Sequence, residues 1–124
     1  MKHTILIVED EADLAAGCAR LLRRCGWRVV TAGTREAALA AVGGRHRPAL
    51  AIVDPQLPDG DGFDILRAAC TTSTPVIVIT DQASTRARRV ALDRGAAGFL
   101  GKPFSTEALV NLVVSVVGSP AQAR

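Results

Sequence analysis

The sequence predicts an α/β domain in which a doubly wound, five-stranded parallel sheet of order 2-1-3-4-5 is flanked by five helices. Three observations predict it. Short apolar runs alternate with amphipathic stretches along the chain, and that alternation builds right-handed βαβ units with helices on both faces of the sheet. Several of the apolar runs are continuous, as strands buried on both faces must be. The chain has 124 residues and is 48% hydrophobic, which gives one domain with a real core, leaves no room for two and excludes disorder. A five-strand chain of this size suits the order whose switch point lies between strands one and three.

Thr4-Ile5-Leu6-Ile7-Val8 is the first strand. A helix follows from about Glu11, with Leu14, Cys18, Leu21, Leu22 and Cys25 on its apolar stripe and Gly26 to stop it. Residues 27–31, opened by Trp27, form a short strand with the indole packed at its start. Thr34 caps the next helix, which carries Ala38, Leu39 and Val42 and ends at Gly43-Gly44. The third strand, 49–53, stops at Asp54. Residues 55–62 hold two prolines and two glycines and read as a loop. A short helix over 63–69, a fourth strand over 75–79 ending at Thr80, and a basic helix over 84–94 follow. Residues 97–100 are a brief fifth strand. Ser105 opens the last helix, which reaches about Val117. The expected domain is 1–118, with 119–124 a polar tail or the start of a linker.

Three cysteines, Cys18, Cys25 and Cys70, are an odd number without CxxC spacing, which argues against a disulfide framework or a zinc site. Cys18 and Cys25 read as small buried hydrophobes. No apolar run approaches the ~18 residues that span a bilayer and no signal-peptide pattern opens the chain, so a cytoplasmic protein without membrane contact is expected. The net charge is +3, but the arginines of the first and fourth helices come without a recognition motif or an aromatic platform. They read as solvated faces, and direct nucleic-acid binding is not expected. His3 and His46 read as solvated surface.

The acids are clustered. Glu9, Asp10, Glu11 and Asp13 form one group, and Asp54, Asp59, Asp61 and Asp64 a second. Of fifteen basic residues only Lys2 and Lys102 are lysine, which singles out Lys102 as a position wanting a compact point charge. In an open parallel sheet ligands sit beyond the carboxyl ends of the strands, at the switch point. Strand one ends in Glu9-Asp10, strand three in Asp54 and strand four in Thr80, while Gly101-Lys102-Pro103 follows strand five. Carboxylates brought together at about 4 Å repel by ~4 kcal/mol at an effective dielectric of 20, so a cation must compensate. Hard oxygen ligands completed by water and phosphate suit Mg²⁺. With Lys102 and Thr80 beside them, the chemistry suggested is phosphoryl transfer to Asp54.

The motifs Ile5-Leu6-Ile7-Val8-Glu9-Asp10-Glu11, Val53-Asp54 with Leu57-Pro58-Asp59-Gly60, Val78-Ile79-Thr80, Gly95-Ala96, Phe99-Leu100 and Lys102-Pro103-Phe104 occur in this order. Together they make the chain resemble the receiver domain of two-component response regulators, a flavodoxin-like fold, over about residues 4–118. The resemblance implies that Asp54 is the phosphoacceptor and that Glu9 and Asp10 hold Mg²⁺ with it, directly or through water. The backbone carbonyl of Gln56 would complete the metal shell. Thr80 and Lys102 would contact the phosphoryl group, Phe99 would be the switch aromatic, and Lys102–Pro103 would be a cis bond. The donor would be a histidine kinase or a phosphotransfer protein. Enzymatic activity would be limited to turnover of the chain's own phosphate, and a C-terminal output domain commonly follows such a receiver.

Two residues depart from the family pattern. Pro55 removes an N–H directly after the acceptor. Asp81 stands where a small residue is usual, adding negative charge beside an incoming phosphoryl group. Asp81 is the best support for the alternative, a pseudo-receiver that binds protein and is not phosphorylated. A phosphatase-like hydrolase is the third reading, and it lacks a clear general acid. On the last helix Leu109, Leu112, Val113 and Val116 cover the sheet, while Val110, Val114 and Val117 are left over. An isologous homodimer through the fourth helix, fifth strand and fifth helix is therefore expected, favoured by phosphorylation.

Overall fold

A computed structural model describes residues 3–120. The strands β1 (Thr4–Val8), β2 (Arg28–Ala32), β3 (Leu50–Val53), β6 (Val76–Thr80) and β7 (Gly98–Gly101) form one parallel sheet, ordered β2-β1-β3-β6-β7. This is the expected 2-1-3-4-5 order of the main strands. The helices are α1 (Ala12–Cys25), α2 (Arg35–Gly43), α3 (Phe63–Thr71), α4 (Thr85–Asp93) and α5 (Thr106–Val117).

Strand period two divides the core. Ile5, Ile7, Ile52, Ile77 and Ile79 face one layer with α1 and α5, whereas Leu6, Val8, Ala51, Val53, Val76 and Val78 face the other with α2, α3 and α4. Both faces are covered, which is why the strands carry apolar residues without alternation. Serine and threonine start three helices as the sequence suggests. Thr34 Oγ1, Ser84 Oγ and Ser105 Oγ accept from the N–H groups of Ala37, Ala87 and Ala108 at 3.1, 3.0 and 3.0 Å. Gly26, at φ 114°, closes α1. Trp27 is buried in the α1/α5 layer just ahead of β2, and its indole N–H has no partner among the described residues.

Three readings are corrected. The stretch 55–62 is not all loop: β4 (Gln56–Leu57) and β5 (Gly60–Asp61) pair antiparallel, Gln56 with Asp61 and Leu57 with Gly60. Cys18 is buried, but Cys25 is exposed at the last residue of α1. Burial pushes the Cys18 thiol above its ordinary value. Of the three valines left over on α5, Val110 and Val117 pack against the α1/α5 core and only Val114, 36% exposed, faces out. The fold separates the members of the second acidic group, as described below. Of the expected tail 119–124, only residues 119 and 120 are described.

Candidate functional site

Strand register assembles the site. Val8 pairs with Val53 across β1 and β3, and Asp54 N–H donates to the Val8 carbonyl at 2.9 Å. Glu9 and Asp54 thus leave adjacent strands at the same level. On the far side Thr80 pairs with Gly101, and Lys102 N–H donates to the Thr80 carbonyl at 2.7 Å. The Lys102–Pro103 peptide bond is cis.

Lys102 Nζ donates to Glu9 Oε1 at 2.5 Å and to Asp54 Oδ2 at 2.6 Å. The side chains of Glu9, Asp54 and Lys102 are only 1%, 8% and 13% exposed, so a partly buried cation is shared by two buried anions. The remaining oxygens are partnered locally: Asp54 Oδ1 accepts from Gln56 N–H at 2.8 Å and Glu9 Oε2 from Glu11 N–H at 3.1 Å. Burial pushes the Glu9 carboxyl above its ordinary value against the pull of Lys102 and the Glu11 N–H, and the nearby Asp54 adds to the rise. For Lys102, burial works downward, but its hydrogen bonds to Asp54 and Glu9 outweigh it and hold the ammonium above its ordinary range.

Asp10 is exposed at the mouth of this site, and carboxylate oxygens of Glu9, Asp10 and Asp54 lie within 4.8 Å of one another. Thr80 is buried, and its Oγ1 accepts from Gln82 N–H at 3.0 Å, leaving its own O–H to give. Thr80, Gln56, exposed Asp81 and half-buried Phe99 line an open cleft of about 660 Å³. Phe99 also packs on the α2/α3/α4 core. Asp81 additionally lines a smaller cleft with Lys102 and Pro103.

The loop after Asp54 is packed tightly against the acceptor strand. Gly62 N–H donates to the Pro55 carbonyl at 2.8 Å, and a Cβ at Gly62 would stand 2.5 Å from Pro55 Cα. Only glycine fits there. The other acids of the second group do not reach the site. Asp59 accepts from the first N–H groups of α2, Asp61 from Phe63 N–H at 2.9 Å, and Asp64 pairs with Arg35. The sequence singles out Asp59 and Asp64 only as members of an acidic group, and nothing in it singles out Arg35. The available signal was Thr34, which marks a helix start whose remaining N–H groups want acceptors.

Fold and rim together define a parallel α/β domain with a lysine-bridged acidic site at its topological switch point, the class to which signalling receivers belong. The family of the response regulator receiver domain matches residues 5–114. The chain is 36% identical over 109 residues to the "Probable transcriptional regulatory protein TcrX" of Mycobacterium tuberculosis, covering 86% of this chain and 46% of that protein. It is 39% identical over 101 residues to the KDP operon transcriptional regulatory protein KdpE of Escherichia coli, covering 81% and 44%. The non-phosphorylated HemR receiver domain from Leptospira biflexa superposes with a TM-score of 0.84 at 30% identity, covering 93% of this chain and 94% of that one. This chain belongs to the response regulator receiver domain family of two-component systems. It spans under half the length of the two curated relatives. No helix among the described residues is long and apolar enough to cross a membrane.

Proposed function

We propose that the chain is a phosphorylation-operated switch, in which Asp54 accepts a phosphoryl group from a histidine kinase or phosphotransfer protein with Mg²⁺ beside it. The observation that carries this reading is the bridge from Lys102 to both Glu9 and Asp54, with Asp10 at the same rim. Two buried carboxylates held by one ammonium are an expensive arrangement to keep for structure alone.

The donor set fits Mg²⁺. Carboxylate and carbonyl oxygens are the hard donors that Mg²⁺ takes, and the three carboxylates offer oxygens within 4.8 Å of one another. Glu9, Asp10 and Asp54, with the Gln56 carbonyl, would hold the ion. When bound, it would neutralise charge on the phosphoryl oxygens. An Asp54 carboxylate oxygen attacks phosphorus and the P–N bond of the donor phosphohistidine breaks. The electron pair stays on the imidazole, and an acyl phosphate forms. Lys102 and the Thr80 hydroxyl contact the phosphoryl oxygens, and Phe99 responds in the adjoining cleft. Later hydrolysis of that acyl phosphate is the only turnover proposed. Asp81 slows the transfer by repulsion, and Pro55 stiffens the loop. The pseudo-receiver alternative finds no support, because no acceptor, cation or carboxylate of the motif is missing.

Acetyl phosphate with Mg²⁺ is expected to add one phosphoryl group by intact mass, and Asp54→Asn to take none. Equal labelling of both proteins overturns the assignment. In the same assay Asp81→Ala is expected to label faster; an equal or slower rate removes Asp81 as a brake.

The proposed functional unit is 1–118, with 119–124 a polar tail or the start of a linker, and the proposed location is the cytoplasm. That the chain spans under half the length of the curated relatives supports a C-terminal output domain as partner. The homodimer through α4, β7 and α5 now rests on exposed Val114 and Leu92 rather than on three valines. Sedimentation of phosphorylated wild type and of Val114→Glu tests it, and a monomer in both removes it.

A further inference from the structure

The outer side of the β4–β5 turn is fastened to α2. Asp59 Oδ1 accepts from Arg35 N–H at 2.6 Å and Oδ2 from Glu36 N–H at 3.0 Å. The Arg35 side chain runs back over the turn to the start of α3, where Nε and Nη2 both lie 2.8 Å from Asp64 Oδ2. Between these anchors its stem covers Gly60, whose φ is 152°; a Cβ there would stand 2.7 Å from Arg35 Cδ. Arg35 is therefore tied at its backbone to one end of the turn and at its guanidinium to the helix beyond the other end. The same turn carries Gln56, whose N–H reaches Asp54 Oδ1, and leads into Gly62, whose N–H closes on Pro55.

We propose that Arg35 is a positioning residue for the Asp54 site: by clamping the β4–β5 turn it fixes the Gln56 backbone beside the acceptor. This rests on the reading of Asp54 and Mg²⁺ given under Proposed function. The Arg35 and Asp64 side chains are each about a third exposed, so the ion pair itself contributes little to stability. Groups that orient a ligand from behind nevertheless govern metal affinity. A large effect on Mg²⁺ affinity beside a small effect on stability separates a positioning role from a structural one.

The test uses the whole chain as wild type, Arg35→Ala, Arg35→Lys, Asp64→Ala and the double alanine variant. Calorimetric titration with Mg²⁺ and amide exchange at Gln56 and Gly62 are the readouts. Arg35→Ala is expected to weaken Mg²⁺ about tenfold and to speed exchange at both amides, with a near-wild-type melting temperature. Arg35→Lys restores only part, because an ammonium lacks the fork, and the double variant is no worse than either single one. Wild-type Mg²⁺ affinity and wild-type exchange in Arg35→Ala overturn the proposal. If that variant does not fold, Arg35→Lys decides by the same two readouts. A wild-type chain that binds Mg²⁺ but takes no label from acetyl phosphate overturns the phosphorylation reading, while the titration still decides on Arg35. A wild-type chain that binds no Mg²⁺ overturns both.

Discussion

Asp54 and Asp59 belong to one short acidic stretch and end in opposite electrostatic circumstances. Asp54 joins Glu9 in the interior, where both depend on one ammonium. Asp59 lies in solvent, where the N–H groups of Arg35 and Glu36 hold its carboxyl below its ordinary value. Burial pushes Glu9 the other way. The difference teaches that carboxylates close in sequence cannot be pooled as one site. Whether a strand end or a helix start receives each one decides whether it stores repulsion or relieves unsatisfied donors.

The largest expected break comes from Lys102→Met. It leaves Glu9 and Asp54 buried without their cation, and removing one partner of such a set costs about 3–5 kcal/mol. Urea unfolding at neutral pH measures this. Saturating Mg²⁺, at 100 times its dissociation constant, should return about 2.7 kcal/mol. A variant as stable as wild type without Mg²⁺ would show that the bridge is not holding repulsion in check.

Asp59→Ala is next and smaller, because the carboxylate that accepts from the Arg35 and Glu36 N–H groups lies fully in solvent. Its pH dependence has a definite sign. A carboxyl held low in the fold binds protons less readily there than in the unfolded chain, so its contribution is present above the ordinary 3.8 and is lost as pH falls through the folded value. Glu9, held high, has the reverse sign: acid relieves it first, starting above the ordinary 4.5. Thermal melts of wild type and Asp59→Ala should therefore converge in acid below 3.8. Curves that stay parallel would mean that the carboxylate charge does not matter there.

The smallest effect is expected for Asp61→Ala, about 0.5 kcal/mol, because its bond to Phe63 N–H is exposed and water replaces it readily. A loss as large as that of Lys102→Met would erase the contrast between the two regions.

Much of this was legible in the sequence. The strand ends gave Glu9, Asp10, Asp54, Thr80 and Lys102 their common rim, because parallel strands deliver their carboxyl ends to one side. The dispersal of Asp59 and Asp64 was not, since the turn that meets α2 is set by sheet order and loop packing, which local pattern does not encode. Cys25 has the right angle on α1 but sits at the helix end, and periodicity cannot say where cover stops. Val110 and Val117 mislead for the opposite reason. α5 packs against both the sheet and the α1 side of its layer, so its apolar arc is wider than that of a helix lying on a sheet alone.

Trp27 is the chain's single tryptophan, and it is buried in the α1/α5 layer, while Phe63 and Phe99 pack on the opposite layer. The molecule's near-ultraviolet emission consequently comes from one side of the sheet. A fluorescence melt follows the loss of the α1/α5 layer and is nearly blind to rearrangement around Phe99. Comparing it with a probe placed on α4 would reveal whether the two halves of the sandwich come apart together or in turn.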